Sequence, residues 1–418
     1  MNAAYTYTPG GIAMSYPRIL LNVSHILIDG LFDSVPLLLS FIALSFAASE
    51  KEVGFAVSLA ILFTTLCGLF SKFFSRHFSL FRAISLIVLL DGIGFFLAAF
   101  SASIQLAGFC FIIAIAGYCA FHNIAFSHLS ATTPRRTLGQ TIGNFTALGD
   151  LGRIPLASLA AFIAAIPVFG FAGWRFICLV YGIVALLFAV FLFLLGANQE
   201  KPPVLLATDR DQHLPAFSLL RNRQHALPIS ASICDAFASD HLFTFLPYLL
   251  FAKGIAPTVI GTFAMAFTCG CLLGKIACGR LVDRFGTRKV FVLSELLMLF
   301  LLTLLLVSTQ LFIIIGASLL LGVVTKGTVP VIQSILGESI REKHLYDDIF
   351  PLNTFFRGST NMLTPLLFGC IAASFGINWI YALMGLAAFC AALPILFLPS
   401  SHPNEIESLQ RKNSPPAL

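Results

Sequence analysis

The sequence predicts an all-α integral membrane protein with twelve transmembrane helices in two pseudo-symmetric six-helix bundles. Its composition, its recurring apolar runs and its distribution of positive charge support this fold class. The 418 residues are 58% hydrophobic and 11% charged, and the mean hydropathy is +0.92. A soluble protein carries roughly a quarter charged residues. So few charges cannot cover a water-facing surface, which excludes a soluble fold.

Apolar runs long enough to span a membrane recur along the whole chain. Crossing the hydrocarbon takes about 20 mostly apolar residues per helix. Six such runs precede a polar stretch and six follow it, so we predict an N-terminal bundle over 1–196, a cytoplasmic linker over 197–227, a C-terminal bundle over 228–400 and a cytoplasmic tail over 401–418. The predicted helices lie at 17–47, 53–71, 83–101, 104–129, 139–166, 171–196, 228–252, 258–278, 289–308, 311–336, 349–374 and 377–399.

Positive charge provides an independent test of this topology. With both termini in the cytoplasm, 18 of the 25 Lys and Arg residues fall in cytoplasmic segments, three fall on the opposite face and four lie inside helices. This bias follows the positive-inside rule. We therefore expect a monomeric, multi-pass protein of a bacterial inner membrane. The net charge of +6 then requires no nucleic-acid partner.

Neither cysteine spacing nor a phosphate-binding loop indicates a cofactor. The ten cysteines are scattered through apolar runs without the CxxC spacing of metal or redox sites, so we interpret them as small core residues. A GxxxxGK[ST] loop is absent from the sequence, which argues against ATP-driven pumping.

The first helix contains the stretch SHILIDGLFDSVPLL at residues 24–38, with His25, Asp29 and Asp33 at four-residue intervals. Residues at this spacing share one helical face, and ionisable side chains in membranes usually face the bundle interior. We predict that these three groups, with Asp235 and Asp240 of the seventh helix, couple transport to protons. The alternative is that the carboxylates only pair with buried bases to hold helices together.

Three buried cations are candidates for binding an anionic solute. Arg153 of the fifth helix, Lys326 of the tenth and Arg357 of the eleventh lie inside apolar runs. A guanidinium stays charged and fits carboxylate, phosphate or phosphonate groups. The alternative is that Arg153 neutralises Asp150 while Arg357 pairs with Asp235 or Asp240. Four further polar residues are predicted to line the same cavity: His122, Asn123, Asn353 and Asn361.

Other features of the two halves bear on the same architecture. Asp29 precedes Pro36 by seven residues, and Asp240 precedes Pro247 by seven. Repeated six-helix halves are typical of transporters that bind substrate at the repeat interface near the bilayer centre. Three remaining ionisable residues are predicted to be structural: Lys275, extending to the headgroups, and Asp91 and Glu295, in peripheral helices.

The predicted loop between the eighth and ninth helices reads GRLVDRFGTRKV at residues 279–290. It resembles the cytoplasmic G-x-L-x-D-R-x-G-R-R-K signature of the major facilitator superfamily. The resemblance implies that fold, a transport function and a latch that breaks when the two halves rock. The residues carried onto that latch are Gly279, Asp283, Arg284, Gly286 and Arg288, and Lys289 also matches the pattern.

The first half departs from this pattern, because SKFFSRHFSLFR at 71–82 has Ser75 in place of the aspartate. The R-x-x-Q-G sequence of proton-coupled members is also missing from the fourth helix. SHILID, AFHN and GQTIGNFTALGDLGRIPLASLAA are similar to the fosmidomycin-resistance branch, whose members resemble drug/proton antiporters. The last stretch keeps Gly143, Gly149, Gly152 and Pro155 of an antiporter signature, without its full spacing.

These observations favour a proton-coupled secondary transporter that moves a small, polar, anionic organic solute by alternating access, with efflux slightly favoured over uptake. The first alternative is an importer of an organic acid, a metabolite or a metal chelate. The second is a divalent-metal transporter or membrane enzyme that uses His25, Asp29, Asp33 and His122. A scaffolding role leaves the buried charges without a purpose.

Overall fold

The protein consists of fifteen described α-helices, seen in a computed structural model. The structure describes residues 16–133, 138–196, 216–338 and 346–398. The N-terminal half contains α1 (Tyr16–Phe46), α2 (Glu50–Leu69), α3 (Ser71–His77), α4 (Leu80–Ala98), α5 (Ile104–Ile115), α6 (Tyr118–Thr132), α7 (Leu138–Ala164) and α8 (Gly173–Gly196). The C-terminal half contains α9 (Arg223–Ser239), α10 (Leu242–Ala252), α11 (Ile260–Phe285), α12 (Thr287–Val307), α13 (Leu311–Glu338), α14 (Tyr346–Phe375) and α15 (Ile377–Leu396).

These helices form twelve membrane crossings, as the sequence predicts. Ten segments of the described chain are long and apolar enough to cross a membrane. The seventh crossing is split into α9 and α10 at Asp240 and His241, and the eleventh, α14, contains Arg357 and several polar residues. Polar groups and a broken helix lower the apolar content of a crossing, and they are tolerated where the chain lines a cavity or is buried in protein.

Each half packs as a bundle, and the two bundles meet mainly along two pairs of helices, with a smaller contact between α1 and α10. In the N-terminal half α1 packs on α7 and α4 packs on α8, while in the C-terminal half α11 packs on α13 and α12 packs on α15. Between the halves, α2 contacts α14 and α7 contacts α11. These are the second and eleventh crossings and the fifth and eighth crossings. The interface therefore keeps the pseudo-symmetry of the two halves.

Glycines bring α2 and α14 together at the distal end, which we define as the end where α2 begins and α14 ends. A Cβ atom added to Gly54 would lie 2.2 Å from the Pro365 carbonyl oxygen and 3.1 Å from the Gly369 Cα. The Leu366 backbone N–H donates to Ser58 Oγ at 2.9 Å across the same contact. Only a residue without a side chain permits backbones to approach this closely.

Three cations are predicted on the face opposite the cytoplasm: Lys51, Arg175 and Lys253. Two of them bind carbonyl groups at helix ends on the distal side. Arg175 donates to the carbonyl oxygens of Ala99 and Ser101 at 2.7 and 2.8 Å, beyond the end of α4. The Lys253 ammonium group donates to the carbonyls of Leu306 and Ser308, both at 2.8 Å, at the end of α12. α4 and α12 are the third crossings of their halves, so the same carbonyl-capping device occurs in both bundles.

We expect Gly54→Ala to lower the apparent melting temperature of the detergent-purified protein. The added methyl group collides with the Pro365 carbonyl oxygen, and overpacking costs about 1–3 kcal/mol. The matched control is Gly316→Ala in α13, where the added Cβ has nothing within 4 Å. That variant should keep or raise the melting temperature because alanine favours helix over glycine by about 1 kcal/mol. Equal melting temperatures for the two variants would contradict the tight α2–α14 contact.

Candidate functional site

Two clusters of buried charges occupy equivalent places in the two halves. In each half, carboxylates of the first crossing meet an arginine of the fifth crossing. We call the first set the N-cluster, whose members come from α1, α6 and α7, and the second the C-cluster, whose members come from α9, α13, α14 and the α9–α10 break. The N-cluster is His25, Asp29, Asp33, Tyr118, His122, Asp150 and Arg153, and the C-cluster is Asp235, Asp240, His241, Thr328 and Arg357.

Arg153 is the centre of the N-cluster. Its Nη2 lies 3.0 Å from Asp29 Oδ2, its Nε 3.4 Å from Asp33 Oδ2 and its Nη1 3.2 Å from Asp150 Oδ1. Nη2 also donates to the Tyr118 hydroxyl at 3.0 Å. A guanidinium offers five N–H donors in a rigid plane, so one arginine can hold three carboxylates from two helices.

The hydrogen bonds of His122 determine the protonation of the imidazole pair. His122 Nδ1 lies 3.0 Å from the Tyr118 carbonyl oxygen, which only accepts, so Nδ1 carries a hydrogen. In the neutral ring Nε2 is then an acceptor, and the hydrogen on His25 Nε2 is shared between this nitrogen at 3.2 Å and Asp29 Oδ2 at 3.3 Å. The same His122 Nε2 faces Asp29 Oδ1 at 3.4 Å, an oxygen with no hydrogen-bond partner among the described residues. A proton added at His122 Nε2 would therefore form a hydrogen bond to Asp29 Oδ1, which has no other hydrogen-bond partner among the described residues.

Small residues of α7 make room for this arrangement. A Cβ atom on Gly149 would lie 2.5 Å from Asp29 Oδ2 and 2.6 Å from His25 Nε2, and one on Gly152 would lie 2.1 Å from the Ile26 carbonyl oxygen. The α7 backbone thus lies directly against the charged face of α1. These two glycines belong to the antiporter-like stretch, and the physical need for them is the space that the His25–Asp29 pair occupies.

Arg357 organises the C-cluster in the same way with fewer partners. Its Nη1 lies 2.7 Å from Asp235 Oδ2 and its Nη2 lies 2.9 Å from Asp240 Oδ1. The Thr328 hydroxyl donates to Asp235 Oδ1 at 2.8 Å. His241, in the helix break, donates from Nε2 to the Asn361 backbone carbonyl at 2.8 Å. Both arginines therefore form the pairs that the structural alternative predicts.

Lys326 differs from the two arginines, because it makes neither an ion pair nor a hydrogen bond with any described residue. It lies on α13 and is partly exposed. Its charge acts electrostatically on Asp33 of the first half and on Asp240 of the second. Among Arg153, Lys275, Lys326 and Arg357, Lys326 is the cation without an ion pair to a described residue.

Lys275 forms an ion pair between the halves, and the expectation that it extends to the headgroups is wrong. Its ammonium group on α11 contacts Asp150 Oδ2 on α7, while Asp150 Oδ1 remains with Arg153. The Asp150 carboxylate is buried, with 3% of its side chain exposed. A buried carboxylate without enough positive charge beside it is costly, and this cost exceeds the loss of side-chain mobility when a lysine is held in one position. The Lys275 ammonium group therefore turns toward Asp150 rather than toward the headgroups.

The predicted asparagines have separate environments. Asn123 donates to the Gly68 carbonyl oxygen at 3.1 Å and fastens α6 to α2. Asn353 is 1% exposed, and neither of its side-chain polar atoms has a partner among the described residues. Asn361 accepts the His241 hydrogen bond through its backbone. Their contact with a solute remains a prediction.

The loop that carries the superfamily-like signature is compact. Gly286 joins α11 to α12 with φ of +83°, a conformation that favours glycine. Arg288 donates to the Leu398 carbonyl oxygen at 2.9 Å, beyond the end of α15, and the exposed Arg284 lies over the Phe285 ring. Gly279 and Asp283 fall within α11, but the Asp283 side chain is outside the described part of the chain. The latch therefore remains a prediction.

Sequence reasoning missed Tyr118, Thr328 and the role of Lys275. Tyr118 precedes His122 by four residues, one helical turn, so its position on the same face was readable from the spacing. Thr328 and Lys275 reach their partners across helices. Sequence spacing has no signal for such contacts.

We expect Lys275→Met to lower the apparent melting temperature, because it removes one of the two cations that hold the Asp150 carboxylate. The loss should stay below the about 3–5 kcal/mol of a fully broken buried pair, since Arg153 remains. In an Asp150→Asn background the same substitution should have a much smaller effect, which a double-mutant cycle measures. Lys289→Met, at an exposed position, is the control. An equal effect of Lys275→Met in both backgrounds would exclude the bridge as a stabilising contact.

Comparison with known proteins identifies the family to which this chain belongs. The Major Facilitator Superfamily profile matches residues 21–234 and 228–417, whereas no curated protein sequence matches the chain. Similar solved structures include a bacterial homolog of the human lysosomal transporter Spinster in an inward-facing, unoccupied conformation. The two sequences are 14% identical, the match covers 96% of this chain and 100% of that chain, and the TM-score is 0.68.

Two further solved structures share the fold. The D-xylose-proton symporter has 17% identity, covers 92% of this chain and 98% of its own, and has a TM-score of 0.71. The nucleoside transporter NupG has 12% identity, covers 91% and 99%, and has a TM-score of 0.72. Identities this low establish the fold alone. With both halves matched by the family profile, the chain belongs to the Major Facilitator Superfamily and is a membrane transporter rather than an enzyme.

Proposed function

We propose that the protein is a proton-coupled secondary transporter that moves a small, polar, organic anion by alternating access. The observation that carries this proposal is Lys326, a partly exposed cation of α13 that acts electrostatically on a carboxylate of each cluster and has no ion-pair partner in the described chain. An unpaired charge away from bulk water is costly. An anionic solute that neutralises Lys326 would recover that cost and contact both halves at once.

Two aspartates that interact electrostatically with Lys326 restrict the kind of anion that the proposed site would accept. Asp33 is 25% exposed and Asp240 is 9% exposed, and both act on the lysine charge. These carboxylates repel an anion that is charged over its whole surface. They can accept hydrogen bonds from hydroxyl or amide groups. The site therefore favours a solute with one acidic group and neighbouring hydrogen-bond donors.

We assign the exchangeable proton to the His122–Asp29 pair. Asp29 is already held by Arg153 and His25, so its own protonation would sacrifice those contacts. His122 is 20% exposed and its acceptor nitrogen faces a free Asp29 oxygen. Histidine is the side chain that titrates near neutral pH. The electrostatic environment of that proton is then determined by five other ionisable residues of the two clusters: His25, Asp29, Asp33, Asp235 and Asp240.

Direction and membrane are part of the same proposal. The likeness of the first, fourth and fifth helices to the fosmidomycin-resistance branch supports efflux in exchange for protons. A structural neighbour is a proton symporter, so import of an organic acid or metal chelate is the runner-up. The strong bias of Lys and Arg toward one face supports cytoplasmic termini, and the proposal includes a monomer in a bacterial inner membrane.

A second candidate cargo is a divalent metal ion, because His25, Asp29 and His122 present ligand atoms within 4.8 Å of one another. Imidazole and carboxylate ligands suit several transition metals. Arg153 Nη2 lies 3.0 Å from the same Asp29 oxygen, however, and its positive charge opposes a dication there. Manganese chloride and zinc chloride should therefore be tested for their effect on the melting temperature of the purified protein. Stabilisation by either metal that is lost in His122→Asn would favour the metal as cargo.

We expect Lys326→Met to abolish stabilisation of the purified protein by an anionic solute. The screen measures the melting temperature with fosmidomycin as a phosphonate, citrate as a carboxylate and ferric citrate as a chelate. Lys326→Arg should retain part of the shift because the charge remains, and Lys289→Met should retain all of it. An undiminished shift in Lys326→Met would remove this lysine from the site, and no shift with any probe in the wild type would argue against an organic anion.

We expect His122→Asn to uncouple transport from protons. In proteoliposomes containing a pH-sensitive dye, the probe that stabilises the wild type should still exchange across the membrane, but its movement should no longer carry protons. The exchange rate should also depend less on pH than that of the wild type, because the titratable imidazole is gone. The matched control is Asn123→Ala, the neighbouring residue on α6. Wild-type proton movement in His122→Asn would exclude this histidine as the carrier.

A further inference from the structure

A groove in the N-terminal half is lined by apolar side chains. It lies between α2, α3, α4 and the start of α6, toward the end opposite the distal end, and has a volume of about 270 Å³. Its walls include Cys67 of α2, Leu86 and Leu90 of α4, and Gly117 and Ala120 at the start of α6. All five residues belong to segments that are long and apolar enough to cross a membrane. The groove therefore lies at the depth of the lipid chains.

The short helix α3 forms the wall of the groove toward the membrane surface. Phe73 and Phe74 of α3 line it, together with Phe70 just before this helix. Phe70 is 62% exposed and Phe73 is 52% exposed, so the mouth of the groove opens on the outer surface of the bundle. An unfilled groove loses dispersion contacts along its whole lining. The acyl chain of a lipid is the apolar group that a membrane supplies at this place.

Positive charge beside the groove fits an anionic headgroup. Arg82 lies one helical turn before Leu86 on α4 and is partly exposed. Its guanidinium lies 5.6 Å from the centre of the Phe193 ring, but it makes neither an ion pair nor a hydrogen bond with any described residue, and its Nε is buried. The sequence of α3, SKFFSRH, adds Lys72 and Arg76. A guanidinium binds phosphate through paired hydrogen bonds, and clustered basic residues at a membrane surface attract anionic lipids.

We propose that this groove is a binding site for an anionic phospholipid. One acyl chain packs against Cys67 and Ala120, and the phosphate group pairs with Arg82. Residues 71–82 are the segment in which the first half lacks the superfamily signature and has Ser75 in place of the aspartate. A lipid site gives the phenylalanines and cations of this segment a role that a latch does not. The proposal does not depend on the identity, the direction or the proton coupling of the solute.

The groove and the N-cluster use different faces of α6. Gly117 and Ala120 line the groove, whereas Tyr118 and His122 contact Arg153 and Asp29. At about 100° per residue, these two pairs project from nearly opposite sides of the helix. A bound lipid therefore packs against the back of the helix that carries His122.

Native mass spectrometry of the full-length, detergent-purified protein tests the headgroup contact. The probes are phosphatidylglycerol, which is anionic, and phosphatidylcholine with the same acyl chains, which is zwitterionic. We expect the wild type to prefer phosphatidylglycerol. Arg82→Met should weaken its binding about fivefold, the contribution of one cation near an anionic headgroup. The control is Arg280→Met, at an exposed position near the same end of the other half, which should bind phosphatidylglycerol as the wild type does.

Three outcomes of this measurement would overturn the headgroup contact. They are equal binding of the two lipids by the wild type, equal weakening in Arg82→Met and Arg280→Met, and displacement of the bound lipid by inorganic phosphate. The last result would indicate a site for free phosphate, because a lipid held by its acyl chain is not displaced by the ion alone.

Filling the groove tests the acyl-chain contact. Cys67→Phe should weaken the binding of both lipids at least about tenfold, since the loss of two buried methylene groups is enough for such a change. The control is Leu293→Phe on α12, where the side chain is already exposed on the outer surface. Should Cys67→Phe fail to fold, Leu86→Trp fills the same groove and must have the same effect. Unchanged lipid binding in a folded variant with a filled groove would overturn the site. No solute is needed, so the result is independent of the Lys326 and His122 tests.

Discussion

The structure depends on the need to keep a guanidinium charged inside a low-dielectric bundle. Arg153 cannot lose its proton, so the chain must bring compensating carboxylates to it. Asp29 and Asp33 of α1 and Asp150 of α7 do so within 3.4 Å. This requirement fixes the rotation of α1 about its axis and its closeness to α7. The glycines at 149 and 152 are the local condition that makes this approach possible.

The C-terminal half meets the same requirement with different chemistry. Arg357 is held by Asp235 and Asp240, but the first crossing of this half is broken between them. The N-cluster contains two imidazoles, those of His25 and His122. The C-cluster contains one imidazole, that of His241, which donates to the Asn361 backbone carbonyl oxygen. The two halves therefore share an arginine that is paired with carboxylates, and they differ in the groups beside it that can hold a proton.

Sequence reasoning predicted the helices well because apolar length and charge bias are one-dimensional signals. The first crossing, expected at 17–47, is α1 (Tyr16–Phe46). It also identified Asp29, Arg153 and Arg357 as central, because buried charges are rare enough to stand out. It failed where a partner lies on another helix. Lys275 was assigned to the headgroups, since no spacing reveals that α11 contacts α7.

The ion pairs connect the proposed proton site at His122 to the interface between the halves. From His122 the contacts run through Asp29 to Arg153, then to Asp150, and end at Lys275 of the other half. A proton on His122 competes with Arg153 for the Asp29 carboxylate. A guanidinium less tightly held by Asp29 can bind Asp150 more strongly, which weakens the hold of Asp150 on Lys275. If transport is coupled to protons, as we propose, a contact between the halves must change in strength with protonation, and the Asp150–Lys275 pair is the contact to which this network leads.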